Sequence, residues 1–562
     1  MRNWKRGLAL LLTAAAGAAL LSGCGRGEEA LSLSVWTGGA PEELDPIYAA
    51  DPSDQTILAH LYEGLMRRTG GASGEAAVVN GAAESVSQEE NADGTITYTF
   101  EIQGEWSDGR PVMAADFVFA WQRLADPAND APEASLLSVV AGYDAVRETG
   151  DVTALQVTAQ DEDTLVVVLS GTCEWFLSEV CTAPAAAPLR QDVLAAAQPA
   201  PKAEAAGEES DESPAETEPW WSDVEELVTN GPYQVEGYTA GESLTLTVSD
   251  SYHEDLTGPE TLTFRFADTA EEAQALYESG EVDFLARVPE ERLAALAAEE
   301  SPDLTPETAV RTVVFNCGLD TLMDERVRQA MSLVIDRGAA AEAAGIAARP
   351  AEGLIPPGIG AGETGDFRTA GGPLLDNDPD HREDLRQEAL RLLREAGYAD
   401  AGDLGELEYL YVDGDGAAAV ARTLAETWQS ALGIAVTPRA VTEEELAAAL
   451  REGTFALASV EFRPLGNDPE CYLMCWDSRR EENIARYANS AYDTLLSVIA
   501  AAGDETARLG CLHDAEALLL EDAAVAPLYT TVTAWTLRED LTGLCRDSRG
   551  WFSFTSVIYR EA

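Results

Sequence analysis

Alternation of apolar and polar positions predicts several β-strands in the chain. Over Thr95–Ile102, apolar side chains recur at every second position, among them Ile96, Tyr98 and Phe100. Successive side chains of a strand lie on opposite faces, so this period of two predicts a strand with one buried face.

The same alternation occurs twice more, in Leu244–Val248 and in Leu262–Phe266. The segment between them, Ser249–Thr261, is rich in polar and turn-forming residues. We therefore expect the two strands to pair antiparallel.

A period near 3.6 predicts helices later in the chain. Glu383–Ala396 carries one apolar stripe, and Gly397 follows it as a stop. Thr442 and Glu445 have the spacing of a capping box, and Asp324 can cap another helix. Strands and helices without an internal repeat predict a mixed α/β protein.

The first 24 residues have the pattern of an export signal. Arg2, Lys5 and Arg6 precede the uncharged run Leu8–Leu21, which is too short to span a bilayer. The run ends in Leu-Ser-Gly before Cys24, which resembles the lipobox of bacterial lipoproteins. That resemblance implies cleavage before Cys24 and a diacylglycerol anchor on its sulfur, although an ordinary signal with an incidental cysteine is the alternative.

Length and charge limit the class of protein. A chain of 562 residues is long enough for two or three domains. It carries 100 Asp and Glu against 36 Lys and Arg, and Lys202 is the only lysine after the signal. Phosphate binding needs clustered cations, so the balance excludes nucleic acid as a partner. The excess charge is typical of a solvated acidic surface, and a field that steers cationic ligands is the alternative.

One segment, Ala195–Pro219, consists almost entirely of Ala, Pro, Glu, Ser and Asp. It has no aromatic residue and no periodicity, so it cannot bury enough apolar surface to become ordered. We expect a disordered acidic loop inserted in a folded domain, with ordered structure resuming at Trp220.

The cysteines give a weak pattern. Apart from Cys24 there are seven, an odd number. Cys173 and Cys181 are close enough in sequence to form a disulfide. Cys471 and Cys475 are four residues apart, but no histidine nearby completes a tetrahedral zinc site, so we expect no metal there.

No enzyme signature is present in the sequence. The four histidines are scattered, and there is no HExxH, no GxSxG, no phosphate loop and no dinucleotide fingerprint. Paired carboxylates arise by chance in a chain with 100 acidic residues. We therefore expect a protein that is not an enzyme and that binds no cofactor.

Ten short segments, in one consistent order along the chain, carry a resemblance to one family. They are Leu44–Pro46, Leu61–Leu65, Glu105–Val112, Ala115–Arg123, Thr229–Tyr233, Ser279–Asp283, Asp324–Arg337, Arg394–Tyr398, Leu432–Ile434 and Pro527–Tyr529. Together they resemble the oligopeptide- and dipeptide-binding lipoproteins of ABC importers, the peptide and nickel class of solute-binding proteins. Most of these motifs have the residues of turns and helix starts, and we interpret them as scaffold.

The resemblance implies a two-lobed periplasmic-binding-protein type II-like fold with a hinge and an additional small domain. The implied boundaries are a signal peptide at 1–23, a lipidated tether at 24–30, lobe I at 31–61, 171–310 and 527–562, the small domain at 62–170, and lobe II at 311–526. Acidic loop 195–219 would lie within lobe I.

The resemblance also implies how the protein works. A peptide would lie extended between the lobes, its main chain paired with strand edges. Closure would then be recognised by an ABC permease with its ATPase subunits. The protein would be a monomer outside the cytoplasm, anchored to the cell membrane through Cys24.

The match fails at the position that anchors the peptide. The family's peptide binders carry an aspartate four residues before a proline, where it meets the ligand's α-amino group. Counting back from Pro469 gives Leu465, which cannot pair with an ammonium group. Arg463 replaces a cysteine found in some relatives, and that cysteine's disulfide partner is also missing, near Ala309.

Three accounts of the ligand follow. Glu461 or Asp468 takes over the amino group; or the peptide has a blocked or unanchored N-terminus; or the ligand is a metal complex, an oligosaccharide or an opine. Arg463 would suit an anionic group, and an exposed position without a role is the equal alternative.

Candidate ligand-binding residues are therefore Trp36, Glu461, Phe462, Arg463, Leu465, Asn467, Asp468 and Tyr472, with Trp476 as a further aromatic residue. A peptide-sensing receptor and an extracytoplasmic hydrolase are the rival functions. The receptor would lack a permease encoded beside it, and the hydrolase would show turnover.

Overall fold

A computed structural model describes residues 31–70, 76–197, 219–360, 365–399, 401–414, 416–480 and 482–560. The predicted signal peptide, the tether and Cys24 lie outside these residues, and so does 198–218, most of the predicted acidic loop. No helix within the described ranges has both the length and the apolar character that crossing a membrane requires.

The strands, in chain order, are β1 Ser32–Trp36, β2 Met66–Gly70, β3 Ala76–Asn80, β4 Ala83–Glu90, β5 Ile96–Ile102, β6 Val157–Ala159, β7 Thr164–Leu169, β8 Tyr233–Thr239, β9 Ser243–Val248, β10 Thr261–Arg265, β11 Phe284–Leu285, β12 Thr305–Phe315, β13 Ala348–Pro350, β14 Glu406–Val412, β15 Ala435–Val441, β16 Leu457–Phe462, β17 Val525–Thr533, β18 Thr536–Leu537, β19 Leu541–Thr542, β20 Cys545–Arg546, β21 Phe552–Ser553 and β22 Ile558–Tyr559.

The α-helices are α1 Pro52–Leu61, α2 Ala114–Ala125, α3 Tyr143–Thr149, α4 Gln191–Ala197, α5 Ala270–Ser279, α6 Glu290–Ala298, α7 Glu325–Leu333, α8 Arg337–Ala344, α9 Phe367–Gly371, α10 Arg382–Glu395, α11 Ala417–Leu432, α12 Glu443–Glu452, α13 Glu470–Leu473, α14 Ser490–Ala500 and α15 Glu505–Glu521. Helix α4 includes 195–197, the first three residues of the predicted acidic loop.

Lobe I is built on a six-stranded sheet in the order β18-β11-β1-β10-β9-β8. Strand β1 pairs parallel with both β10 and β11, and the other pairs are antiparallel. The predicted hairpin is confirmed, since Leu244 of β9 lies opposite Phe264 of β10.

A four-stranded antiparallel sheet, β4-β5-β7-β6, lies beside lobe I. The alternation predicted for 95–102 is confirmed in β5, where Tyr98, Phe100 and Ile102 are buried. These side chains belong to the same apolar core as Leu33 of β1 and Phe264 of β10. The small sheet therefore packs onto lobe I rather than forming a core of its own.

Lobe II is built on a second six-stranded sheet, in the order β13-β17-β12-β16-β14-β15. Its central strand β12 supplies side chains alternately to two cores. Val310 and Val314 belong to one, and Val313 and Phe315 to the other. The second half of this strand is therefore buried on both faces.

The chain crosses between the two sheets twice. It leaves lobe I after β11 and enters lobe II at β12, then returns between β17 and β18 through only two residues, Ala534 and Trp535. The crossings are joined to each other, because the N–H of Val288 donates to the carbonyl of Ala534 at 2.9 Å. The predicted boundaries at 310/311 and 526/527 fall inside β12 and β17, and the domain boundaries stay a prediction.

Helix ends lie where the capping residues predict them. The Thr442 hydroxyl accepts from the Glu445 N–H, and the Glu445 carboxylate accepts from the Thr442 N–H, which completes the capping box of α12. Asp324 accepts from the N–H of Arg326 at the start of α7. After α10, Gly397 has a φ of +99°, a conformation that favours glycine.

The turn and the helix start that were predicted around Trp106 are both present. Gly109 has a φ of +80° in the turn that follows Trp106. The Asp116 carboxylate, in the first turn of α2, accepts from the Trp106 indole at 3.1 Å and from the Met113 N–H at 3.0 Å. One buried carboxylate thus ties the turn to the helix start.

Candidate functional site

Two cavities lie between the lobes, and Arg463 lines both of them. Arg463 follows the last residue of β16, the strand that pairs with β12 in the lobe II sheet. The segment after β16 therefore runs along the junction of the two lobes.

The first cavity, which we call the charged cavity, has a volume of about 160 Å³. Asp51, Arg287, Arg546 and Arg549 contribute from lobe I, and Glu307 and Arg463 from lobe II. Four guanidinium groups thus share a small space with two carboxylates, the reverse of the chain's overall balance.

The second, the apolar cavity, has a volume of about 230 Å³. Phe462, Pro464, Leu465 and Met474 line it from lobe II, and Trp175 faces them from lobe I. Arg480 and Glu482 add charge to this mainly apolar lining. Neither cavity alone reaches the roughly 300 Å³ at which small-molecule sites begin.

The lobes are in direct contact around these cavities. The Thr308 hydroxyl of β12 donates to the carbonyl of Ser548 at 2.8 Å. Gly466 lies so close to Glu179 that a Cβ atom at this position would be 2.6 Å from Glu179 Cγ. Leu465 packs against the core of lobe I. The cleft is therefore closed in this structure.

A buried ionic network supports the charged cavity from lobe I. Asp547 is fully buried and pairs with Arg549 at 3.0 Å and with Arg68 at 2.7 Å. Arg68 also pairs with Glu179 at 2.6 Å, and Arg549 lies 3.6 Å from Glu133. Burial opposes ionisation of Asp547, but Arg549 and Arg68 outweigh it and lower the pKa of this carboxyl.

Comparison with known proteins identifies the fold that holds this cleft. Residues 77–483 match the family described as bacterial extracellular solute-binding proteins, family 5 Middle. The chain belongs to this family. Its members are substrate-binding proteins and not enzymes, so the protein is a family 5 binding protein.

Individual relatives cover nearly the whole chain. The chain is 28% identical over 497 residues to the probable deoxycholate-binding periplasmic protein YgiS of Escherichia coli, covering 87% of this chain and 86% of that one. It is 28% identical over 515 residues to the periplasmic oligopeptide-binding protein OppA of the same organism, covering 88% and 86%. The structure of Haemophilus influenzae OppA in complex with RPPGFSPFR superposes with a TM-score of 0.70 at 24% identity, over 95% of this chain and 99% of that one.

The structure brings three of the predicted site residues of this family 5 protein to the cavities, namely Phe462, Arg463 and Leu465. Leu465 contributes only apolar surface. Glu461 lies next to them and pairs with Arg311 at 2.7 Å and with Arg463 at 3.1 Å. All three charged side chains are at least 30% exposed, so these pairs are weak and Glu461 can exchange partners.

Asp468 and Asn467 already have protein partners. The Asp468 carboxylate accepts from the Glu470 N–H at 2.8 Å and pairs at 2.6 Å with Arg508, which is 4% exposed. The Asn467 side chain accepts from the Gly360 N–H at 3.0 Å. Both side chains hold the loop before α13 in place, and their predicted contact with ligand stays a prediction.

The aromatic candidates lie mostly beneath the site. Tyr472 is fully buried, and its hydroxyl donates to the carbonyl of Thr308 at 2.6 Å. Trp36 is fully buried too, and the guanidinium of Arg287 lies 5.2 Å from its ring centroid. Neither lines the charged cavity or the apolar cavity, whereas Trp36 positions Arg287, which lines the charged one.

Sequence reasoning missed Arg287, Glu307, Arg546 and Arg549. The only signal was that two of these arginines occur close together in Cys545–Gly550 of a chain poor in basic residues. Their convergence depends on both crossings of the chain, which no local pattern encodes. The cysteines that sequence suggested for a disulfide, Cys173 and Cys181, are both free thiols in the structure.

Proposed function

We propose that this protein is the substrate-binding lipoprotein of an ABC importer, which captures a peptide in the interlobe cleft and delivers it to a membrane permease. The observation that carries the proposal is the segment after β16, Arg463–Gly466, in which Arg463 lines both cavities and Pro464 and Leu465 line the apolar one. The N–H groups of Leu465 and Gly466 donate to no other described residue, although Gly466 is buried. Buried N–H groups normally have partners, and an extended peptide supplies them.

The comparisons support a peptide as the ligand. The oligopeptide-binding protein OppA of Escherichia coli shares 28% identity with this chain over 88% of its length. Peptide main chains are uniform, so pairing with them is tolerant of sequence and suits a transporter. The two cavities would then receive neighbouring side chains or an end of the peptide.

Sequence supports the anchor and the location. The basic head, short apolar run and Cys24 have the pattern of a lipoprotein signal. Two acyl chains on Cys24 would give stable membrane attachment. We propose a monomer outside the cytoplasm, held where it can dock on the permease and its ATPase subunits. The small domain, the hinge and the boundaries implied by the sequence belong to this proposal.

A bile acid is the second candidate ligand. One relative is named as a probable deoxycholate-binding protein. In this chain Leu465 stands where peptide binders of the family place an anchoring aspartate, and it lines an apolar cavity next to arginines. An apolar cavity beside a cationic one fits an amphipathic anion as well as it fits a peptide.

Thermal unfolding of the purified protein distinguishes these ligands. The panel holds tri- to pentapeptides with free or acetylated N-termini, and deoxycholate. A ligand at 100 times its dissociation constant adds about 2.7 kcal/mol to the free energy of unfolding, which raises the melting temperature measurably. We expect peptides to stabilise the protein. Stabilisation by free but not acetylated peptides would assign the amino group to Glu461 or Asp468.

No stabilisation by any peptide would contradict the peptide proposal. Stabilisation by deoxycholate alone would favour the second candidate. A metal complex, oligosaccharide or opine would remain to be tried if no compound acts.

A further inference from the structure

We propose that the charged cavity is a carboxylate subsite, and that the ligand is an amphipathic anion whose apolar part occupies the adjoining apolar cavity. This inference rests on the proposed function, because it assigns chemistry to the same cleft.

The two carboxylates of the charged cavity are already in use. Asp51 caps α1, accepting from the Ser53 N–H at 2.8 Å. Glu307 accepts from the Thr531 hydroxyl at 2.5 Å. Neither forms an ion pair with an arginine of the cavity within the part of the chain that the structure describes. Four guanidinium groups thus line the cavity with two carboxylates, and of the four only Arg463 and Arg549 have carboxylate partners among the described residues, Glu461 and Asp547.

Two of the arginines have no polar partner among the described residues. Arg287 and Arg546 donate no hydrogen bond and form no ion pair there. Each is held against an aromatic ring, Arg287 over Trp36 at 5.2 Å and Arg546 over Phe552 at 5.9 Å. Stacking positions a guanidinium while leaving its five N–H donors available.

Of the four arginines, Arg549 alone has buried guanidinium nitrogens without a hydrogen-bond partner among the described residues. It is 3% exposed, and its Nε donates to Asp547 at 3.0 Å. Its Nη1 and Nη2 are buried and donate no hydrogen bond to any described residue, although Nη1 lies 3.6 Å from the Glu133 carboxylate. Unsatisfied buried donors carry a desolvation penalty, which an oxygen ligand in the cavity would remove.

Burial also penalises the charge of Arg546. It lowers the pKa of this guanidinium, and Arg463 acts in the same direction, although Glu307 and Asp547 oppose both. A carboxylate bound in the charged cavity would relieve the penalty and the repulsion together. Planar guanidinium groups bind carboxylates through paired hydrogen bonds, which favours this anion.

The apolar cavity indicates what the ligand carries beside its carboxylate. Arg463 lines both cavities, so a carboxylate bound near it has apolar surface from Phe462 and Leu465 beside it. Two kinds of molecule carry this combination. One is a peptide whose terminal or side-chain carboxylate adjoins an apolar side chain, and the other is a steroid carboxylate.

Calorimetric titration with matched probes tests the inference. The probes are trileucine and its C-terminal amide, and deoxycholate and its methyl ester. In each pair a neutral amide or methyl ester replaces the carboxylate, and the rest of the molecule is the same. We expect the acid of at least one pair to bind at least about tenfold more tightly than its neutral form, as expected for hydrogen bonds to a charged group.

Substitutions then show whether the charged cavity causes the tighter binding of the acid. Arg546→Gln should remove most of the acid's advantage and leave binding of the neutral form unchanged. Arg546 is chosen because it has no structural ion pair, unlike Arg549. The control is Arg439→Gln, which removes an exposed arginine paired with Glu408 on lobe II away from the cleft. It should leave the affinity for every probe unchanged.

The outcomes distinguish failure of the carboxylate subsite from failure of the binding cleft that contains it. If neutral forms bind as tightly as acids, the carboxylate subsite is wrong while the binding cleft stands. If Arg546→Gln weakens acid and neutral forms equally, the arginine is structural and the inference is also wrong. If no form of any probe binds, both the cleft as the site for these ligands and the inference fail. Preference for the trileucine acid would indicate that a peptide supplies the carboxylate, and preference for deoxycholate would indicate a steroid.

Discussion

Single residues show where burial and charge conflict. Asp54 lies in the first turn of α1, and its carboxylate accepts from the Glu43 N–H at 3.0 Å. Burial raises its pKa to about 7, with a contribution from Asp51, although the Glu43 hydrogen bond acts in the other direction. The folded protein therefore keeps a proton on Asp54 over a pH range in which the unfolded chain has lost it.

This proton predicts a pH-dependent effect of Asp54→Asn. Between about pH 4 and pH 7 the folded state binds more protons at this site, so the contribution of Asp54 to the free energy of unfolding falls as pH rises. Asparagine cannot ionise. The stability of Asp54→Asn relative to wild type should therefore increase from pH 4 to pH 7 and level off above it.

Urea denaturation at several pH values measures this difference. Asp255→Asn, at an exposed aspartate, is the matched control. A difference between Asp54→Asn and wild type that is the same at pH 4 and pH 8 would contradict the assignment.

At the scale of elements, local patterns in the sequence were sufficient to predict several strands and helix ends. The β9–β10 pair, strand β5 and the caps of α7 and α12 follow from residue patterns within short segments, and the structure has them where they were predicted. The site could be predicted only in part. Arg463 and Leu465 were found because they are adjacent in sequence to the motif, whereas Arg287 and Arg546 join them only through the tertiary fold.

Alternation also cannot distinguish a core face from a ligand-facing one. Trp36 ends β1 and was a reasonable candidate, but its ring is fully buried under Arg287 and its indole donates to the carbonyl of Ala267. Asp468 was a candidate because carboxylates bind amino groups. Its buried partner Arg508 belongs to α15, forty positions later in the chain, and sequence gives no sign of that pairing.

Ligand binding should require the close contact that the segment between β16 and α13 makes with lobe I. Gly466 meets Glu179 across the junction, and a side chain there would clash. We expect Gly466→Val to weaken binding of the best panel compound by at least about tenfold, which is 1.4 kcal/mol, because the lobes could no longer close on it.

Calorimetry measures the affinity, and denaturation of the ligand-free protein checks that the fold is intact. Gly237→Val is the control, since a Cβ at Gly237 would meet nothing within 4 Å. Equal affinities for wild type and Gly466→Val would show that the contact between Gly466 and Glu179 is not part of the bound state.

For the whole molecule, the charge distribution links structure to function. The chain has a net charge of −64, yet the cavity between its lobes collects four arginines. An acidic surface repels anions in general, while the cleft attracts them locally. Salt screens the long-range repulsion more than it screens the partly buried cavity. The lining of the charged cavity thus has a charge balance opposite to that of the whole chain.

The central claim is that ligand binds between the lobes, along the segment after β16. Hydrogen–deuterium exchange on the full protein, with and without the panel compound that raises the melting temperature most, tests it directly. We predict that ligand slows exchange in the peptic fragments that contain Leu465 and Gly466, and in those that contain Arg546 and Arg549. Protection confined to other surfaces, with these fragments unchanged, would contradict the account.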